Sequence, residues 1–460
     1  MKENVLTFAS MAIMMLPSVS KGQQNPYLDA WLYNSSGLTG QHWEQGQSAV
    51  ITDTALADVR WIGYTSSDVY VRSSGVPAYA VGPFLDGNPI LAPTNRHYLF
   101  RIPRNPIQET QTPTAPGLGQ IGVFINGVPV YNYADAMSYN NQGVWHQNAV
   151  VFEHSGMDCA KGHPAPVFSG PPGPGSQITG ASYHHHQSPA IFTTATQPLT
   201  NVCGTYPSLG LYTMDSTGHS PLLGFAFDGF PIYGAYGFSD TAGQGAVSRI
   251  RSSYRLRTMT DRSTLPDGTV LSPAQQGPSL AAVALGSYKE DFEYVPGLGD
   301  LDEHNGRFAV TPEFPNGTYA YYTTVDSDRN SAYPYVIGDT YFGAVATDNF
   351  GAMGPNAGST SVVLPGGVTT YNPIGLPESN GPQLILSPNP TSTHVTLQGT
   401  EWQGIWQLTD LMGRIWNTGK HLSKDGDLTL EVGHLPSGYY RIVLENEGQI
   451  QSYPLYVVHM

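Results

Sequence analysis

The segment Ile121-Gly-Val-Phe-Ile-Asn126-Gly127-Val-Pro-Val-Tyr131 sets two apolar runs on either side of an Asn-Gly pair. Asn-Gly readily takes the positive-φ backbone of a tight hairpin turn, so this pattern predicts a β-hairpin turning at Asn126-Gly127. The same grammar holds upstream. Asp58-Val-Arg-Trp-Ile-Gly-Tyr-Thr65 and Asp68-Val-Tyr-Val-Arg72 are short alternating runs separated by Gly, Pro and Asn, and they read as antiparallel strands. A chain with 52 glycines, 37 prolines and 28 tyrosines but only 12% charged residues favours strands joined by shaped turns over long amphipathic helices. The expected class is therefore mainly β: a large β-rich domain with long loops, followed by a small C-terminal β-sandwich.

The chain opens with Lys2, an apolar run from Val5 to Leu16, and then Pro17 with the small residues Ser18, Ser20 and Gly22, which reads as a cleavable signal peptide over residues 1–22. That run is too short to span a bilayer, and no later segment approaches the roughly 20 apolar residues a span needs, so no membrane span is expected. The large domain is expected over 23–350. Its middle, from Ala134 to about Gly343, has few regular runs, and one short helix is expected around Ser279 to Glu290. Residues 351–382 turn to Gly, Ser, Thr, Asn and Pro and read as a linker. Beyond it, over 383–460, runs such as Thr393-His-Val-Thr-Leu397 and Tyr439-Tyr-Arg-Ile-Val-Leu444 predict a small β-sandwich of its own.

A formal charge of −15 repels nucleic acid and anionic lipid, both of which demand clustered Lys and Arg, so neither is an expected partner. The two cysteines, Cys159 and Cys203, are free to pair in an oxidising destination; unpaired, they would be soft metal ligands.

Chemistry concentrates in Tyr183-His184-His185-His186, preceded by a Pro/Gly loop at 169–175. In an extended segment His184 and His186 project to one face and His185 to the other. Two imidazoles on one face can share a metal, and nitrogen ligands suit Zn, Cu, Fe or Ni rather than Ca or Mg. Further ligands must come from elsewhere: from His163, His154, His146, His219 or His304, or from the carboxylates Glu153, Asp158, Asp228 and Asp302. Taken alone, each of these is more often a hydrogen-bonded residue than a ligand. Asp228-Gly229, inside the apolar run Leu222 to Tyr233, reads equally as a turn or as part of a site. Asp300, Asp302 and His304 alternate, but the glycine comes one place late for a calcium loop and no distal Glu completes it, so a solvated turn paired with Arg307 is the stronger reading. Nucleotide loops, the Gly-x-Ser-x-Gly elbow and the His-Glu-x-x-His zinc helix are missing from the sequence.

These residues carry a resemblance. Gly162-His163, Tyr183-His184-His185-His186, His219-Ser-Pro-Leu-Leu-Gly-Phe-Ala-Phe-Asp228-Gly-Phe-Pro-Ile-Tyr-Gly234, Leu301-Asp-Glu-His304-Asn-Gly-Arg307 and Tyr333-Pro-Tyr-Val-Ile-Gly338 follow one another as in the YHYH family of secreted proteins, over roughly Trp31 to Gly343. His185 stands where that motif has its second tyrosine. The resemblance implies metal binding through the histidines. The tail separately resembles a type A sorting domain of the type IX secretion system, through Ser387-Pro-Asn-Pro390, Leu408-Thr-Asp-Leu-Met-Gly-Arg414 and Leu435-Pro-Ser-Gly-Tyr-Tyr440. It implies the type IX machinery as a partner and passage through the periplasm to the outer cell surface or beyond.

The resulting expectation is a secreted protein whose YHYH-like domain binds a divalent transition metal, copper or zinc first, through His184 and His186 with some of His163, His219, Asp228 and His304. An open coordination position would make it a metal-dependent hydrolase or oxidase. The rival readings are a surface module for polysaccharide or a small-molecule ligand, with tyrosines and tryptophans as stacking faces, and a structural surface protein.

Overall fold

The computed structural model describes residues 25–44, 49–84, 92–168, 176–189, 216–350, 360–371, 385–389, 391–398, 404–410, 415–421, 427–446 and 449–459. The expected signal peptide, the loop at 169–175 and Cys203 lie outside them. The described chain is mainly β, as expected.

An eight-stranded sheet organises the large domain. Its strands run in the order Gly162–Phe168, Ile178–His185, Pro129–Tyr131, Gln120–Phe124, Leu222–Ala226, Pro231–Tyr233, Thr318–Tyr322 and Gly306–Ala309. The expected hairpin is there: Gln120–Phe124 pairs antiparallel with Pro129–Tyr131, and Gly127 turns with φ 78°. The expected strands around Arg60 and Tyr70 are Val59–Tyr64 and Asp68–Ser73, in a four-stranded sheet with Tyr98–Pro103.

Both faces of the large sheet are covered. On one, Val123, Phe225, Tyr233 and Tyr322 share a core with Ile62, Val69, Val71, Phe100 and Ile102 of the four-stranded sheet. On the other, Phe124, Leu223, Ile232, Tyr319 and Tyr321 pack against Tyr133, Tyr254, Tyr333, Tyr335 and Phe342 from outside that sheet. This explains why Gln120–Phe124 and Leu222–Ala226 are buried at every position instead of alternating. Each such large side chain contributes about 1.5–3 kcal/mol by leaving water.

Two expectations about local structure are corrected. Instead of a helix over Ser279 to Glu290 there is a chain of turns closed by a 3-10 turn, Lys289–Asp291. The carbonyls of Pro278, Val283 and Ala284 accept from the buried guanidinium of Arg262, which also grips Asp291 through two hydrogen bonds. Carbonyls engaged in this way are not available to a helical ladder. The expected linker is not all linker: Thr369–Tyr371 forms the fourth strand of the N-terminal sheet, antiparallel to Val59–Tyr64.

The tail forms a three-stranded sheet, Ile385–Ser387, His394–Gln398 and Leu428–Glu431, and a four-stranded sheet, Ile415–His421, Gly404–Asp410, Gly438–Asn446 and Gln449–Val457. Val395, Leu408, Leu430, Ile442, Leu444 and Leu455 fill a core of their own between them.

Candidate metal centre

The site begins with a register. Gly162–Phe168 and Ile178–His185 pair antiparallel, with Gly162 opposite His185 and His163 opposite His184. Directly opposed side chains on one face of a ladder lie within contact range, so the register alone brings His163 to His184. The register is held by crowding and by a buried carboxylate. A Cβ on Gly162 would meet the Tyr183 ring at 2.4 Å. Asp158 accepts from the backbone N–H groups of Ala160, Gly162 and Gly82 and from the Tyr183 hydroxyl at 2.8 Å. It thereby ties the turn before one strand to the middle of the other. Burial pushes its carboxyl up to about 6 against those bonds.

Alternation along the strand separates the histidines as expected. His185 faces away from its neighbours: its Nδ1 donates to the Lys161 carbonyl (3.0 Å) and its Nε2 accepts from the Tyr79 hydroxyl (3.0 Å). Burial pushes it down to about 3. His184 and His186 share the other face, their Nε2 atoms 3.1 Å apart. His184 Nδ1 lies 3.0 Å from the Ser182 carbonyl and His186 Nδ1 2.5 Å from the Asn132 carbonyl. A carbonyl only accepts, so each Nδ1 carries the proton and each Nε2 presents a lone pair. Two lone pairs facing at 3.1 Å require a cation between them, either a proton or a metal ion.

Two more donors converge there. A short helix, Ala149–Phe152, is capped at its start by the Asn148 side chain and ends at Glu153, whose Oε2 lies 2.8 Å from His163 Nε2 and 3.1 Å from His186 Nε2. Despite that closeness, neither Glu153 Oε2 nor His163 Nε2 has an aligned hydrogen-bond partner among the described residues. One ligand atom from each of Glu153, His163, His184 and His186 lies within 4.8 Å of the other three. Bonds of about 2.0–2.1 Å at a tetrahedral centre would place donors about 3.3 Å apart, close to the contacts seen here. Three imidazole nitrogens and one carboxylate could thus hold a metal ion.

Burial, then the neighbouring His163 and His186, holds His184 well below the ordinary histidine range, in the neutral form a metal needs. Burial alone would raise the Glu153 carboxyl, but His186 and His163 hold it well below the usual carboxylate range. Tyr131 stacks on the His184 ring at 3.9 Å between centroids and fixes its plane.

Of the residues expected at the site, the fold brings His163, His184 and His186 together. It does not bring in the other three. His219 sits among Tyr233, Phe238 and Tyr322, toward the other edge of the sheet, with Nδ1 on the Ser220 carbonyl. Asp228 forms the turn of the hairpin Leu222–Ala226 to Pro231–Tyr233, next to Gly229 at φ 90°. It accepts from Phe230 N, Gly343 N and the Tyr321 hydroxyl (2.5 Å). His304 bonds Thr340 through Nδ1, and Asp302 accepts from Tyr319 and the turn's own N–H groups. That turn's partners differ from the sequence reading: Asp300 pairs with Arg251, while Arg307 donates to the Phe238 carbonyl. Cys159 is disulfide-bonded and so is no thiolate ligand.

Glu153 is the member the sequence did not single out from the other carboxylates. Its one local signal is the helix-capping Asn148 followed by Ala-Val-Val-Phe, which places Glu153 at a helix end.

The family model described as YHYH protein matches residues 99–333, a stretch that contains all four converging ligands. No curated protein matches the chain.

Proposed function

The chain belongs to the YHYH protein family, and from that premise we propose that it binds one divalent transition metal, copper or zinc, through Glu153, His163, His184 and His186. The observation that carries the reading is the pair of Nε2 atoms 3.1 Å apart, each ring having a backbone carbonyl at its Nδ1. Ligand histidines are oriented by a bond from the second ring nitrogen, and both of these have one. When bound, such a metal supplies Lewis-acid or redox chemistry. The residues themselves supply orientation: Tyr131 and the two carbonyls set the ring planes, and the ladder sets the spacing.

In this proposal the leader-like start and the tail serve delivery. Residues 383–460 act as the address for the type IX machinery, taking the protein through the periplasm to the cell surface or the medium. Support comes from the tail's three motif segments and from its separate core.

The deciding experiment is elemental analysis of protein purified without metal-affinity resin, beside a His184→Ala/His186→Ala variant. One equivalent of metal per chain, lost in the variant, is the expected result. No metal in either after reconstitution would sink the reading.

A further inference from the structure

The four ligands are not held alike. His184 and His186 are almost wholly buried, each is braced by a backbone carbonyl, and His184 is also stacked by Tyr131. His163 rides on the paired strand, fixed by register. Glu153 comes from a different kind of element, the junction between Ala149–Phe152 and the single turn His154–Gly156, with a backbone conformation of φ −102° and ψ 1°. Its carboxylate touches two imidazoles and, among the described residues, has no hydrogen bond to anything else. Ligating carboxylates are normally oriented by hydrogen bonds of their own. Glu153 is also the most exposed of the set, with 23% of its side chain accessible against 13% for His163 and 4% for His186.

On the reading of this cluster as a metal centre, we propose that Glu153 is its exchangeable ligand: the three histidines hold the ion, and a small monoanionic oxygen donor of the carboxylate class enters by displacing the Glu153 carboxylate. The side of approach follows from exposure, since the two partly accessible ligands, Glu153 and His163, mark where a solute arrives. The charge of the entering group follows from burial. Three neutral imidazoles and one carboxylate surround the ion, and replacing one monoanion by another leaves the net charge of a largely dry site unchanged, whereas a neutral ligand would leave extra charge uncompensated. Among the described residues, Glu153 Oε2 has no further hydrogen bond to break when it swings out.

The test uses the full chain loaded with Cu(II), with wild type, Glu153→Ala and Glu153→Gln compared by metal content and visible absorption while acetate is titrated. Glu153→Ala is expected to keep its copper with a shifted spectrum. Acetate should restore the wild-type spectrum in that variant, binding about tenfold or more tighter than to wild type, where it must compete with the tethered carboxylate. Thermal unfolding of the metal-free variants confirms that they fold. If wild type binds copper and both folded Glu153 variants bind none, Glu153 is an obligatory ligand and the proposal fails while the metal reading stands. If Glu153→Ala keeps the wild-type spectrum and ignores acetate, Glu153 is no ligand and the proposal fails. If wild type binds no metal, the underlying reading falls and takes this one with it.

Discussion

At position 185 the chain carries histidine where the family's motif has tyrosine, and the fold makes that exchange harmless to the cluster. His185 points away from His184 and His186 into a pocket of Tyr79, Tyr183, Phe124 and the Lys161 carbonyl. His185→Tyr should therefore leave metal content unchanged, while His184→Ala and His186→Ala each reduce it. Equal loss in all three, measured by elemental analysis, would contradict the alternation. Asp228 shows the other outcome: a residue that reads in sequence equally as a turn or as part of a site is a buried turn. Its burial raises the carboxyl to about 6 against three hydrogen bonds. Between an unfolded value near 3.9 and about 6 the folded state holds a proton that the unfolded state has lost, so this group's contribution to stability declines as pH rises through that window. The decline is about 3 kcal/mol in all. Asp228→Asn lacks it, so urea midpoints of the variant should gain on wild type between pH 4 and 6 and run parallel above. Parallel curves throughout would refute the assignment.

The ladder Gly162–Phe168 with Ile178–His185 is the element that converts sequence into a site. Its same-face histidine pair was legible because alternation needs only the strand. Its partner His163 was legible only as one of several candidates, because strand register is a long-range fact set by Asp158, Gly162 and Tyr183 together. Glu153 was less legible still, since it belongs to a short helix whose docking no local pattern announces. The same limit explains the missing helix: helical composition around Ser279 to Glu290 is overridden by Arg262, which lies 16 to 22 positions from the carbonyls it claims. Gly162→Ala tests the ladder directly. A methyl group against the Tyr183 ring should cost about 1–3 kcal/mol in denaturant unfolding and weaken metal binding with it. A variant as stable as wild type, with full metal content, would show that the crowding does not set the register.

Across the whole molecule the mainly β class was readable, because period-two runs and turn residues are local. Which residues join His184 and His186 was not, because the motifs at 219–234 and 301–307 look equivalent to the one at 162–163 until the eight strands are placed in order. The tail has its own core, separate from the two that enclose the large sheet. A chain ending after Tyr371 should thus retain one equivalent of metal, whereas one ending before Val368 loses the strand that pairs with Val59–Tyr64 and should melt lower. Calorimetry of both truncations decides it; identical melting would mean that the added strand contributes nothing.

Ser182 and Asn132 orient the two central imidazoles with their peptide carbonyls, and every amino acid has one. No substitution can delete those acceptors; it can only move them. Alanine at either position therefore leaves the acceptor itself in place and removes only the side-chain bonds that hold it, those of Ser182 to Tyr98 and of Asn132 to Pro116, Gly117 and Ala134. Replacing a peptide link by an ester would expose it, since an ester carbonyl at Ser182 or Asn132 is the weaker acceptor.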